Sequence, residues 1–583
     1  MEQGTDPMHR VALIFLFACG DSGQKAPRTQ DSTVGIPTGE DSSTLPTSND
    51  TSNGAHTADT SDTGSTTATP PIPVEVRWGE PALCEDPSAR AAGPFETLSF
   101  EDPSQWLIRV HGAGVTAGDY QGDGRPDVFF FGTNRSDFVA QDTLGNWTVN
   151  PPGSLDKSTP MDMVFGGSSA DYDGDGDLDV YMTRYMRPNV LLENDGAGNF
   201  VNVAEERGVK GDTAHFSGSS SWADFDLDGD LDLFVAGHGY IIEGSVPRSE
   251  FAPGNPSYLF VNDGTGHFDD RSDMLPQVFH DTYTFIGTWA DINGDGWPDL
   301  YGINDLGNAF MPCKLLWNDA GKGFVSDENA VGLDVDIAGM GMALGDLNDD
   351  GVYDFLIPAW ARMKYMLSSP SLGMWVDYAT KRGFLPHSDE YNQVVGWGAE
   401  FADVDNDMDL DAKVVFGYLT TEFIRNEDHQ PDGLWLQDDK GSFVDAAPEW
   451  GVNNTGDSRG IIASDLNRDG WIDFAKPDIN GPSLLQLSRC DEASWLRVEL
   501  RDQTTANTYA IGAKISVEAG GRYMQRTITA GGTGYGSSGL PEAHFGLANH
   551  ETVERIQITW PDGGFSEVRD GLARRTLTVT RLK

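Results

Sequence analysis

The chain has 583 residues and a formal net charge of −52, which excludes a phosphate-backbone binder, since nucleic-acid contacts need clustered Lys and Arg. The same charge excludes attraction to an anionic lipid surface. The length exceeds one compact domain, and 69 glycines beside an ordinary apolar fraction describe turn-rich folded units.

The first element is residues 8–19, "MHRVALIFLFAC". A short basic start precedes an apolar run too short to span a bilayer but suited to a signal-peptide core. Leu16, Phe17, Ala18 and Cys19 resemble a bacterial lipobox, in which the cysteine is lipidated, although Phe17 stands where a small residue is usual. Residues 1–19 are therefore expected to be a signal/lipobox segment with Cys19 as lipid anchor. An ordinary secretory signal, or a mis-called N-terminus with Met8 as the true start, is the alternative. Either way the protein is exported, as a bacterial cell-surface or outer-membrane lipoprotein or as a secreted protein. Residues 20–80 are rich in Ser, Thr, Asp, Gly and Pro. Such a segment buries too little apolar surface to offset chain entropy and reads as a disordered tether.

A nine-residue frame, D-x-[D/N]-x-D-G-x-x-D, then recurs seven times at spacings of 52 to 67 residues. Its first positions are Asp119, Asp171, Asp224, Asp291, Asp346, Asp403 and Asp465. Its fifth positions are Asp123, Asp175, Asp228, Asp295, Asp350, Asp407 and Asp469, and its ninth are Asp127, Asp179, Asp232, Asp299, Asp354, Asp411 and Asp473. The third position is Asp173, Asp226, Asn293, Asn348, Asp405 or Asn467 in six copies and Gln121 in the first. Two carboxylates about 4 Å apart repel by about 1 kcal/mol in water and about 4 at an intermediate dielectric. Crowding of this kind calls for a cation. All-oxygen donors favour Ca²⁺, up to seven ions, with position 7 supplying only a backbone carbonyl because Arg125, Trp297 and Val352 occupy it. The first copy is weakened by Gln121 and the sixth by Met408 in place of the turn glycine. The bidentate Glu of an EF-hand is missing, and strand-like runs follow the loops.

Residues 191–200, 259–268, 315–324 and 434–443 each read as strand, Asn/Asp/Gly turn and Phe-opened strand, a β-hairpin. Each repeat thus contributes four strands, and seven such units predict an all-β, seven-bladed β-propeller. The units resemble FG-GAP (VCBS-type) repeats of integrin α-subunit propellers and bacterial relatives. Phe165-Gly166-Gly167 and Phe216-Ser217-Gly218, just before two acidic loops, carry that resemblance, which implies calcium within the blades. The seventh unit lacks its Phe-opened strand, and residues 95–102, "FETLSFED", resemble the missing piece. Closing the ring with this strand removes the open edges. Cys84 precedes it and Cys490 follows the last blade strand, so these two are the expected disulfide.

The propeller is placed at 81–493 and a second β domain at 494–583. The latter resembles the ASPIC/UnbV module that follows FG-GAP repeats in cartilage acidic protein and its bacterial relatives. Gly512-Ala513-Lys514, His544-Phe545-Gly546-Leu547 and Trp560-Pro561-Asp562-Gly563 carry that resemblance. No H-E-x-x-H, G-x-S-x-G or Walker loop is present, so no catalytic residue is assigned. His544 and His238 are the best single candidates for chemistry. The expected function is a surface-anchored, calcium-stabilised recognition or adhesion module for a protein or glycan. The alternatives are a channel-centred hydrolase or lyase, and an accessory protein of a biosynthetic pathway.

Overall fold

The computed structural model describes residues 70–84, 95–100 and 112–583, apart from residues 133–135, 153, 156–158, 214, 240–253, 281, 308–310, 327–330, 361, 385–393, 418–429 and 480. The signal/lipobox segment with Cys19, and the tether up to residue 69, lie outside the described residues. Among the described residues, no helix is long and apolar enough to cross a membrane.

The fold is all-β. Six sheets are sequential antiparallel meanders, and a seventh antiparallel sheet is completed by an N-terminal strand. In the second, Val164–Ala170, Asp179–Arg184, Val190–Asn194 and Phe200–Asn202 pair in order. The first strands of the first six sheets are Val115–Gly118, Val164–Ala170, Phe216–Ala223, Thr284–Ala290, Ala343–Gly345 and Gly396–Ala402. The seventh is built from Ile462–Ser464, Asp473–Lys476 and Ser483–Ser488, and its outer strand is the N-terminal Phe95–Phe100, paired from Phe95↔Ser488 to Phe100↔Ser483. Cys84 and Cys490 are bonded beside this seam, with Cα atoms 5.5 Å apart, and Cys313 is a buried free thiol. The Phe that opens each expected hairpin return (Phe200, Phe268, Phe324, Phe443) is buried, while the Val beside three of them, Val201, Val325 and Val444, is exposed.

The C-terminal module has two four-stranded sheets. One takes in Val74–Trp78, which pairs with Arg575–Arg581. The tether therefore ends before residue 74 and not at residue 80. Val74 and Trp78 pack on the module's core, which a reading of the polar stretch before them does not reveal.

The module is not independent of the propeller. Its segment 530–540, "AGGTGYGSSGL", runs along the axis and bonds to all seven sheets. Ala530–Gly531 adds a fifth strand to the third sheet. The Gly532 carbonyl accepts from Thr288 in the fourth. Gly534 N–H lies 3.0 Å from the Met342 carbonyl, beside the fifth sheet, and 3.1 Å from that of Ala399 in the sixth. Gly167 N–H of the second donates to the Gly536 carbonyl at 3.0 Å, Ser538 N–H donates to the Val115 carbonyl of the first at 3.0 Å, and Leu540 N–H reaches Ser464 Oγ of the seventh at 3.3 Å. First strands that all reach one short segment surround one axis, which is the arrangement of a β-propeller.

Tyr535 fills the axis. It is fully buried, with ring centroids 4.8, 5.4 and 5.2 Å from those of Phe165, Phe285 and Trp397. Such close backbone approach needs glycine on both sides. A Cβ on Gly166 would fall 2.4 Å from the Gly536 carbonyl oxygen, and Gly534 has φ +63°. Truncating a buried aromatic typically costs about 3–5 kcal/mol. Tyr535→Ala should lower the stability of the whole chain by about that amount in chemical denaturation, while Tyr535→Phe keeps most of it. An unchanged Ala variant would show that the axis is held by something else.

Candidate metal centre

Each acidic frame is the loop between the first two strands of a sheet, with position 9 opening the second strand: Asp179 starts Asp179–Arg184 and Asp232 starts Asp232–His238. The position-9 side chains are buried in all seven copies. Each takes at least two backbone N–H groups. Asp179 Oδ1 accepts from Asn194 at 2.9 Å, and Asp411 accepts from Val404 at 3.0 Å and Gln437 at 2.9 Å. Asp354 accepts from Leu347 at 3.0 Å and Ser368 at 2.7 Å, and Asp473 from Leu466 at 2.8 Å and Ser488 at 2.6 Å. One carboxylate thus ties the loop to the third strand, which explains an invariant Asp without any metal.

Position 5 makes an Asx turn in every copy. Asp175 Oδ1 accepts Asp177 N–H at 3.0 Å and Asp469 Oδ1 accepts Trp471 N–H at 2.9 Å. Position 1 folds the loop back on itself: Asp171 accepts from Gly174, Asp175 and Gly176 at 2.9–3.1 Å.

Three loops bring carboxylates together. Ligand oxygens of Asp171, Asp173 and Asp179 lie within 4.8 Å of one another, as do those of Asp224, Asp226 and Asp232, and of Asp403, Asp405 and Asp411. The position-5 residues Asp175, Asp228 and Asp407 are outside these groups. The sixth loop clusters even though Met408 replaces glycine. Met408 takes φ +87° and is itself buried. In the fourth, fifth and seventh loops position 3 is Asn, and its amide donates to the position-5 carboxylate: Asn293 to Asp295 at 3.0 Å, Asn348 to Asp350 at 3.1 Å, Asn467 to Asp469 at 3.1 Å.

Burial sets the electrostatics. It pushes the Asp224 carboxyl up to about 8, with Asp228 and Asp226 adding repulsion, and Asp171 up to about 6 against the Thr508 hydroxyl and Gly176 N–H. Asp179, Asp232, Asp403 and Asp411 are pushed well above the carboxylate range by burial first and their acidic neighbours second, although backbone N–H groups oppose the shift. Asp173 Oδ1, Asp224 Oδ1 and Asp226 Oδ1 are buried and lack a hydrogen-bond partner. A buried all-oxygen donor set with orphaned lone pairs fits a hard divalent cation such as Ca²⁺.

The C-terminal module supplies cations to the fourth, fifth, sixth and seventh loops. Lys514 Nζ lies 2.9 Å from Asp291 Oδ2, Arg497 pairs with Asp465, and Arg522 bridges Asp349, at 2.7 Å, and Asp409. At the second and third loops its contacts are neutral: Thr508 donates to Asp171, Tyr509 OH donates to the Gly176 carbonyl at 3.1 Å, and Ala506 N–H donates to the Gly229 carbonyl at 2.9 Å. None of these cations stands out in the sequence, because each lies 32 to 223 residues from its partner.

The family model for FG-GAP-like repeats matches residues 171–235, and that for ASPIC and UnbV matches residues 503–583. The chain carries an FG-GAP-like repeat and an ASPIC/UnbV domain. Cartilage acidic protein 1 of Mus musculus is 23% identical over 489 residues, 77% of this chain and 61% of that protein, and its Xenopus tropicalis counterpart is 25% identical over 70% of this chain and 71% of its own. The chain therefore spans less than two thirds of the mouse relative's length. Among solved structures, the BP39L lectin from Burkholderia pseudomallei aligns with a TM-score of 0.41 at 11% identity, over 66% of this chain and 97% of the lectin.

The two histidines are structural. His544, in the ASPIC/UnbV domain, is a neutral imidazole held by Nε2 to the Gly470 carbonyl at 3.0 Å, and burial lowers it to about 4. His238 is fully buried, stacked on Phe285 and 3.7 Å from Asp305.

The raised carboxyls fix a sign. A carboxyl whose folded pKa exceeds its unfolded value of 3.8 adds stability that is complete below 3.8 and is lost as pH rises through the folded value. For Asp224, Asp127 and Asp354, each pushed by burial to about 8, the loss should run from about pH 4 to about pH 8. The melting temperature of chelated protein should fall across that window, and added calcium should flatten the fall. A metal-free melting temperature that rises with pH would contradict the burial of these charges.

Proposed function

We propose that this chain is a seven-bladed, calcium-loaded FG-GAP-type propeller capped by its ASPIC/UnbV domain, acting outside the cell as a recognition module for a protein or glycan. The observation that carries the reading is the set of three carboxylate clusters, two of them with orphaned buried oxygens on Asp173, Asp224 and Asp226, on a propeller whose axis is closed by its own plug. With the axis filled by Tyr535, the exposed surface of the capped body is what remains for partners. Calcium takes the all-Asp second, third and sixth loops most tightly. The other four rely on Asn or Gln at position 3 and, in the fourth and seventh, on Lys514 and Arg497. The domain limits follow as 1–19 for export, with Cys19 lipidated, then the tether, the propeller to about 493 and the ASPIC/UnbV domain to 583.

The enzyme reading has one observation in its favour. A cavity of about 150 Å³ between propeller and cap is lined by Glu400, Glu542, Arg526 and His544. Arg468 and Arg497 already engage Glu542, and the Gly470 carbonyl holds His544 Nε2, so Glu542 and one side of the imidazole are committed to structure.

Calcium binding tests the main reading. One site at a hundredfold excess over its Kd adds about 2.7 kcal/mol, so chelation should lower the melting temperature beyond any effect of ionic strength. Asp173→Asn should cost one tightly bound ion by native mass spectrometry, and Asp177→Ala should cost none. Equal losses in the two variants would make the loops plain acidic turns. For export, Cys19→Ser should release the protein from the membrane fraction of its native host, and retention there would remove the lipid anchor from the account.

A further inference from the structure

A second cavity, of about 90 Å³, opens between the third and fourth sheets and the ASPIC/UnbV domain. Trp222, Trp289, Tyr353, Trp560, Asp291 and Lys514 contribute to its walls. The polar atoms of two of its aromatics are engaged. Trp560 Nε1 donates to Ser566 Oγ at 2.9 Å, and Tyr353 OH shares a 2.8 Å hydrogen bond with Thr527. Those of the other two are not. Trp222 and Trp289 are 2% and 7% exposed, and the indole N–H of each has no partner. Asp291 gives one carboxylate oxygen to Lys514 at 2.9 Å, and its Oδ1 is buried without a partner.

These leftover groups restrict the ligand. An indole N–H only donates and an ionised carboxylate only accepts, so the occupant must present acceptors and donors side by side. A metal ion offers nothing to the N–H groups, an anion is repelled by Asp291, and a hydrocarbon leaves every polar atom unsatisfied. Hydroxyl groups meet both demands, and four aromatic side chains provide apolar surface for the carbon skeleton that bears them. We infer that this cavity binds the hydroxyl edge of a neutral sugar, a terminal ring whose remainder projects into solvent. The inference rests on the recognition reading above and narrows its ligand to a glycan.

The test uses the full chain with calcium present. A panel of immobilised glycans ending in neutral hexoses is screened, and hits are titrated calorimetrically with the free sugar. Trp289→Phe and Trp222→Phe keep a ring in place but remove the N–H, so each should weaken binding about tenfold with an unchanged calcium count. Binding that both variants leave unaltered would place the glycan elsewhere and overturn the site. No binding to any neutral glycan would mean that the cavity holds only water, and would also overturn it. A protein partner captured by the same chain would then keep the broader recognition reading standing, which separates the two failures.

Discussion

Everything in this molecule turns on burying carboxylates. One Asp per propeller sheet, at position 9 of its frame, is buried where it receives backbone N–H groups from both the loop and the third strand. That bracket fixes the blade, but it places a negative charge beside the position-1 and position-3 carboxylates of the same loop. Charges a few Å apart in a desolvated setting must be relieved by a proton, a metal or a protein cation. The molecule divides the task. Asp at position 3 completes a carboxylate cluster suited to a metal, and Asn at position 3 closes on its neighbour through its amide. Where the ASPIC/UnbV domain docks, Lys514 and Arg497 meet the position-1 carboxylates directly.

The docking has a second consequence. Once the domain lies over the acidic loops, its glycine-rich segment can thread the axis and bond to every sheet. The glycines of Phe165-Gly166-Gly167 and of 530–540 are two sides of one contact. The cap, the ring and the loops are in this sense one electrostatic and steric unit, with the Cys84–Cys490 bond beside the seam where the N-terminal strand completes the last sheet.

Much of this was legible in the sequence, because it was local or repeated. The nine-residue frame, the Phe-opened hairpin returns and the stray strand at Phe95–Phe100 all declare themselves by pattern. What stayed hidden was long-range. The plug reads as turn glycines until its partners in seven sheets are known. Val74–Trp78 reads as the end of a tether because its pairing partner lies at the other end of the chain. Position 9 of the frame read as a metal ligand alone, since invariance does not separate a ligand from a hydrogen-bond bracket. Met408 looked like a weakness, yet its loop gathers three carboxylates.

The most direct test of this division of charge is a count of tightly bound calcium ions by native mass spectrometry as free calcium is lowered with chelator. Three ions should be retained to the lowest concentrations, and Asp173→Asn, Asp226→Asn and Asp405→Asn should each remove one. Seven ions lost together, or none retained at all, would contradict the account.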